Sequence, residues 1–328
     1  MITEKKIMII GCGGIGKRHL QSLCKIELPV NIFAIDISEQ SLNDSKKLVG
    51  KITNDNIKSL KFSTVLPKDI DEIDLCIIAT SSDVRLSILK KLILNYSIKN
   101  LILEKVLFQS IKELSEAQNI IYEKKINCWV NCSRREDECW KYIKKIISGQ
   151  SNMKLYFGKS DWKMCSNSIH MIDLATWLFD DKLVHIDNSH LEKKIHESKR
   201  KGFIEMTGVL SGEFKNGSTF KLESIYGIPR EKSKFEIIGD TMKLILSEFD
   251  EKGVLYRKDN DWNPEEFDFH RPLMSEKTQN IVKKILETKQ CDLPTLDESV
   301  EIHKPLLLSF QDHLNKVSNS KYNYCPIT

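Results

Sequence analysis

The sequence contains no apolar run long enough to cross a bilayer. Stretches such as Leu75 to Ala79 and Leu306 to Leu308 fall far short of the roughly 20 residues a spanning helix needs. Near the N-terminus Glu4, Lys5 and Lys6 leave no signal-peptide core, so a cytoplasmic protein with no membrane partner is expected. There is also no C-x-x-C pair. The nine cysteines, at positions 12, 24, 76, 128, 132, 139, 165, 291 and 325, are odd in number and scattered, which fits reduced thiols in a reducing compartment. Cys128, Cys132 and Cys139 match no usual zinc spacing, and no metal is expected. Charge of one sign is scarce: 50 basic against 46 acidic residues give a net charge of +4, which offers no general surface for nucleic acid. Internal repeats and long linkers are absent as well. What remains, 328 residues that are 41% hydrophobic and 29% charged, is an ordinary globular chain long enough for two cores.

The N-terminal stretch Lys6 to Gly16 organises the rest. An apolar strand breaks into a glycine turn, G-x-G-x-x-G at Gly11, Gly13 and Gly16, with Gly14 and Ile15 inside it, and a helix follows from about Ile15 to Lys25. In such a loop the first glycine makes the turn, the second admits a pyrophosphate, and the third lets helix and strand pack closely. A phosphate there meets the unpaired amides of a helix N-terminus. The next apolar strand, Asn31 to Ile35, ends at Asp36, an acid placed to hold a ribose 2′-hydroxyl and repel a 2′-phosphate. NAD is therefore expected in preference to NADP.

Strand and helix patterns then alternate. Strands are expected at Ile57 to Ser63, Asp74 to Ala79, Asn100 to Leu103 and Ile126 to Asn131, and helices at Ser38 to Val49, Val84 to Leu94 and Ile111 to Lys124. This alternation predicts a doubly wound parallel sheet with right-handed crossovers. Two strand ends deliver polar residues to its ligand side: Thr80, Ser81 and Ser82 after one, Glu104 and Lys105 after the next. Beyond a helix from Asp137 to Ile147 the pattern changes to successive strands, with Asn216-Gly217 as a hairpin signal. An α+β domain with an antiparallel sheet is expected, closed by helices at Glu276 to Glu287 and Leu296 to Val317, the latter kinked or split at Pro305. The two domains are placed at 1–124, for the dinucleotide, and 125–328, for substrate binding and oligomerisation.

An ammonium at Lys105 would orient a reacting hydroxyl and stabilise alkoxide charge, with Glu104 fixing it; the same dipeptide also suits a solvated strand end. Ser166, Asn167 and Ser168 read as capping residues for a helix over Asn167 to Phe179. In its first turn stands His170, three residues before Asp173 and within reach of it. The helix dipole would favour the neutral imidazole that takes a proton; a surface His-Asp pair is the plainer alternative. Arg134-Arg135 and Lys199-Arg200-Lys201 are compact basic clusters, either solvated faces or grips for an anion.

In order along the chain, the glycine loop, Asp36, Ala79-Thr80-Ser81-Ser82, Glu104-Lys105-Val106, the H-x-x-D of His170 to Asp173, and Pro294-Thr295 to Ser299 resemble the glucose-fructose oxidoreductase, inositol dehydrogenase and rhizopine catabolism family (Gfo/Idh/MocA) over nearly the whole chain. The resemblance implies a Rossmann domain followed by an α/β domain with a large open antiparallel sheet. It also implies NAD-linked oxidation or reduction of a sugar, nucleotide sugar or polyol carbon, with Lys105 and His170 as the acting pair and Asp173 beside them. Arg134 and Asn167 are candidate substrate contacts, and a homodimer or homotetramer is expected. The chain departs from the family pattern at Val106 for proline, Ser81 and Ser82 for proline and asparagine, Arg85 for a common histidine, and Ser166 where many members carry an aspartate. That last change opens an alternative, a dinucleotide-binding sensor or scaffold without turnover.

Overall fold

A computed structural model describes residues 4–225 and 233–328. Its first strand, β1 (Lys5–Ile10), buries Ile7 to Ile10 completely or nearly so, as an unbroken apolar run requires when both faces of a sheet are covered. There follow α1 (Gly16–Leu23), β2 (Val30–Ile35), α2 (Glu39–Val49), β3 (Ile57–Ser63), β4 (Glu72–Ile78), α3 (Ser82–Asn95), β5 (Ser97–Leu103), α4 (Ile111–Glu123) and β6 (Asn127–Val130). The six strands pair in parallel in the order β3-β2-β1-β4-β5-β6. The order reverses between β1 and β4, and a ligand crevice lies at the carboxyl ends of strands at such a switch point. Here Ala79 N donates to Ile10 O at 2.8 Å and Gly11 N to Ile35 O at 2.8 Å, so the glycine turn and the Thr80 loop leave the sheet side by side. Ser38 caps α2 as its sequence predicts, accepting from Ser41 N at 3.2 Å.

The second sheet is built after α5 (Glu138–Ile146). Its strands are β7 (Lys154–Ser160), β8 (Leu183–Asp187), β9 (Leu191–Glu197), β10 (Ile204–Phe214), β11 (Thr219–Ile225), β12 (Lys234–Ile238), β13 (Met242–Ser247), β14 (Lys252–Arg257) and β15 (Glu265–Asp268), with α6 (Met164–Phe179) between β7 and β8. Two helices, α7 (Met274–Thr288) and α8 (Leu296–Ser318), end the chain's regular structure. The described strands run β15-β14-β13-β12-β7-β11-β10-β8, with β9 beside β10. All pairs are antiparallel except β7 with β11. The Asn216-Gly217 hairpin forms between β10 and β11 as expected: Gly217 takes φ +86° and Ser218 N donates to Asn216 Oδ1 at 2.8 Å. Alternate residues Phe235 and Ile237, and Met242, Leu244 and Leu246, are buried on one face. Trp140 packs there with its ring centroid 5.2 Å from Phe235 and 5.0 Å from Phe269.

The chain divides into two compact units, one of residues 1–108, 112–131 and 272–296, the other of 109–111, 132–271 and 297–328. A single cut after residue 124 is therefore corrected in two places. Strand β6 belongs to the first unit because it pairs with β5, and α7 returns to it because Ile281, Val282 and Ile285 complete the apolar core around Leu20 and Leu23 of α1. Pro294 and Thr295 finish that return: Val130 N donates to Pro294 O at 3.0 Å and Trp129 bridges to Thr295. Of the two alternatives at Pro305, a split is set aside: α8 is one helix over Leu296–Ser318 with the proline inside it. Strands β8, β9 and β15, with few consecutive apolar residues, were not expected. No helix among the described residues is long and apolar enough to cross a membrane.

Trp140 is fully buried, so Trp140→Ala is expected to cost about 3–5 kcal/mol, read as a lower midpoint of urea unfolding of the second unit. A loss under about 1 kcal/mol would show that this aromatic cluster is not the core.

Candidate functional site: a dinucleotide crevice and a buried-ion helix

The glycine loop divides its labour by space. A Cβ on Gly16 would lie 1.7 Å from Gly11 O, and Gly11, at φ +90°, would bring one to 3.0 Å from the Ala79 carbonyl. Both glycines are thus required by the fold itself. At Gly13 and Gly14 an added Cβ meets nothing within 4 Å, and both are exposed; this open face beside the start of α1 suits a pyrophosphate. Ile15 is the N-cap of α1. Asp36 stands at the end of β2 with Oδ2 accepting from Cys12 N at 2.6 Å and Oδ1 from Ser38 N at 2.8 Å. Its charge is therefore pinned against the loop where a ribose would follow the pyrophosphate. On the adjoining loop Thr80 Oγ1 is buried without a hydrogen-bond partner among the described residues, an unpaired group of the kind a bound ligand satisfies. Ser81 is the N-cap of α3 and Ser82 its first residue.

Arg85, buried on α3, donates to Leu107 O at 2.6 Å and also to the carbonyls of Thr80 and Val106. One guanidinium so ties the Thr80 loop to the segment after Lys105, a role that its replacement of histidine did not suggest. Glu104 is buried and accepts from His19 Nε2 at 2.9 Å and from Asn131 Nδ2. The other ring nitrogen of His19 meets Thr278 Oγ1 at 2.9 Å. Burial opposes the Glu104 charge, yet the bond and charge of His19, with Asn131 and Lys105 behind them, hold its carboxyl below the ordinary value. The dipeptide is thus not a solvated strand end: Glu104 is an anchored anion, and half-buried Lys105 follows it directly. Nothing in the sequence marked His19, which reads only as one more residue of the α1 amphipathic pattern.

In the second unit α6 begins at Met164, with Lys163 as its N-cap, so Ser166, Asn167 and Ser168 lie inside the helix and are not its caps. His170 consequently sits in the second turn, half-buried, where the dipole effect of a helix terminus has faded. Asn167 Nδ2 donates to Trp162 O at 2.7 Å. Asp173 is fully buried, which sets aside the plainer alternative of a surface His-Asp pair: Arg135 donates Nε to its Oδ2 at 3.0 Å and Nη2 to its Oδ1 at 2.7 Å, and offers Nη1 to Glu298 at 3.0 Å. Burial pushes the Asp173 carboxyl up to about 6 against the pull of Arg135. Both oxygens of Asp173 are thus engaged by Arg135, which ties α6 to the turn before α5. Arg134 points elsewhere, to Glu248 at 2.9 Å, which Arg271 and Lys159 also reach at 2.5 and 3.3 Å. Lys199, Arg200 and Lys201 are exposed on the turn between β9 and β10. Among the described residues no group of three or more His, Cys, Asp and Glu is placed to hold a metal.

The fold, the switch-point crevice and the glycine loop define an oxidoreductase-type protein with an NAD-binding Rossmann domain. Residues 5–132 match the family described as "Oxidoreductase family, NAD-binding Rossmann fold", and residues 163–324 match its "C-terminal alpha/beta domain". The chain belongs to the Gfo/Idh/MocA family. Among solved structures, an oxidoreductase from Agrobacterium radiobacter in complex with NAD+, L-tartaric acid and magnesium is 14% identical with a TM-score of 0.73, over 96% of this chain and 97% of that one. UDP-N-acetylglucosamine 3-dehydrogenase from Acidithiobacillus ferrooxidans is 11% identical, TM-score 0.68, over 94% and 97%. The transcriptional regulator Gal80p from Kluyveromyces lactis is 13% identical, TM-score 0.72, over 96% and 93%. Likeness at such identities is likeness of fold. A comparison with curated proteins finds no match.

Asp36→Ala is expected to weaken NAD binding and narrow the preference over NADP, because it removes both a ribose hydrogen bond and the charge facing a 2′-phosphate. Titration calorimetry with both dinucleotides checks this, and unchanged affinities for the two would remove Asp36 from the site.

Proposed function

We propose that the protein is an NAD-dependent oxidoreductase that moves a hydride to or from a carbinol carbon of a sugar, nucleotide sugar or related polyol. The observation that carries the reading is the anchoring of Glu104 by His19 and Asn131, which fixes the backbone from which Lys105 follows at the carboxyl end of β5. NAD, when bound, supplies the hydride acceptor or donor. Gly11 to Gly16 take the pyrophosphate, Asp36 the ribose, and Thr80, Ser81, Ser82 and Glu104 line the remaining length of the dinucleotide. His170 takes or returns the hydroxyl proton, and Lys105 stabilises the alkoxide charge that develops on that oxygen when the proton is taken or when a carbonyl is reduced. Asp173 keeps α6 seated through Arg135. Arg134 and Asn167 are assigned as substrate contacts. A solved relative that acts on UDP-N-acetylglucosamine and another that holds NAD+ with L-tartaric acid support a hydroxyl-bearing substrate by fold likeness. The odd number and scattered spacing of the cysteines support a cytoplasmic setting, and a homodimer or homotetramer is proposed from the broad open sheet.

A second reading, a dinucleotide-binding sensor or scaffold without turnover, draws on the likeness to Gal80p and on Ser166. Both readings include NAD binding, so only turnover separates them. Lys105→Met and His170→Ala are each expected to lower turnover of a substrate found by screening sugars, sugar acids and nucleotide sugars by roughly 10²-fold or more, with NAD affinity nearly intact. The double variant should be little worse than the worse single, since groups acting as a unit are not additive. Turnover that neither substitution slows would overturn the assignment. Light scattering at micromolar concentration tests the assembly, and a monomer would contradict it.

A further inference from the structure

Glu205 of β10 is an acid set in an apolar strand, between Ile204 and Met206, and it is buried. Its two oxygens are both used, and both are used by α6. Ser166 Oγ donates to Oε1 at 2.6 Å, and Cys165 N donates to Oε2 at 2.9 Å. Ser166 is four residues before His170, so the two side chains are neighbours on one face of the helix, with Cβ atoms about 5–6 Å apart. The carboxylate is thereby bonded to the residue one helical turn before His170, and the one acid of α6, Asp173, is held by Arg135.

The thiols nearby register the same charge. Burial pushes Cys165 well above its ordinary value and Glu205 pushes it further; the same two causes raise Cys325 of the C-terminal segment. Across the ladder His196 of β9 stands opposite Glu205 in register and meets Thr207 Oγ1 at 3.3 Å. The other charged groups on elements packed against α6 are Arg134, Arg135 and Glu136 of the turn before α5, Lys144 of α5, which stands 4.4 Å over the Trp177 ring, Glu213 of β10, and Lys221 and Glu223 of β11, the last accepting from Tyr156 Oη at 2.6 Å.

Resting on the oxidoreductase reading above, we propose that Glu205, held by Ser166, is a positioning residue for His170 that supplies from the neighbouring strand the negative charge orienting and tuning the imidazole for proton transfer. A carboxylate near an imidazole favours the imidazolium, which keeps the ring able to carry the proton it accepts. Glu205 also caps α6 by taking the Cys165 amide. The two roles separate chemically: Glu205→Gln keeps a carbonyl oxygen for that amide, loses the charge, and turns a donor to Ser166 Oγ, which can rotate to accept it.

The experiment is an imidazole NMR titration of the full chain with NAD, His170 and His196 being assigned from His170→Asn and His196→Asn. Glu205→Gln should lower the His170 midpoint by about half a unit or more, and adding Ser166→Asp, which returns a carboxylate to the same place from the helix, should restore it to within a few tenths. A His170 midpoint unmoved in Glu205→Gln, or not restored in the double variant, overturns the proposal. If Glu205→Gln alone does not fold, the double variant decides, and it must fold and titrate His170 as the unaltered chain does. The titration needs no substrate. Failure to find any turnover therefore counts against the oxidoreductase reading, while an unmoved titration counts against Glu205 alone.

Discussion

A buried carboxylate placed between a strand end and a helix is the interaction on which the first unit's site depends. Taking an ion from water costs several kcal/mol, and a fold keeps one only where donors replace the lost solvent. Glu104 has two, His19 from α1 and Asn131 just beyond β6. His19 in turn reaches Thr278 on α7, so the residue before Lys105 is bonded to the helix that starts at the glycine loop and, through it, to a helix from the far end of the sequence. Arg85 adds a second tie between the Thr80 and Val106 segments. The loops that would meet a dinucleotide are held by buried ionic hydrogen bonds, and precise placement of a reacting group requires that kind of support.

Close approach sets the second constraint. The Gly16 position has no room for any side chain, because Gly11 O already occupies it. Helix α1 can therefore lie against the turn, with the open surface of Gly13 and Gly14 at its start. In the second unit the corresponding support is the Arg135–Asp173 pair, which anchors α6 from below while His170 stays half-buried.

The elements of the first sheet were legible in the sequence because fully buried parallel strands read as unbroken apolar runs, and because glycine spacing and Asp36 record backbone contacts directly. Asn216-Gly217 was legible for the same reason, as a turn with positive φ. What stayed hidden was tertiary. No local pattern tells that α7 returns to the first core, that His19 meets Glu104, or that Asp173 turns inward to an arginine 38 residues earlier. The start of α6 was misjudged because serine and asparagine are good caps, whereas here Glu205, from another strand, takes the Cys165 amide and the Ser166 hydroxyl instead. Strands β8, β9 and β15 were missed because half-exposed strands rich in Lys, Glu and His carry little apolar alternation.

The first unit is an NAD-binding Rossmann domain with Lys105 next to the anchored Glu104, and the second is an α+β domain with His170 on α6; the proposed chemistry draws on both. Hydride transfer is the claim that joins them, and isotope transfer tests it most directly. A panel of sugars, polyols and nucleotide sugars deuterated at their carbinol carbons would be incubated with the protein and NAD, and the recovered dinucleotide examined by mass spectrometry. The account predicts that at least one member yields reduced nicotinamide carrying one deuterium. Binding of NAD with no label transferred from any member would contradict it.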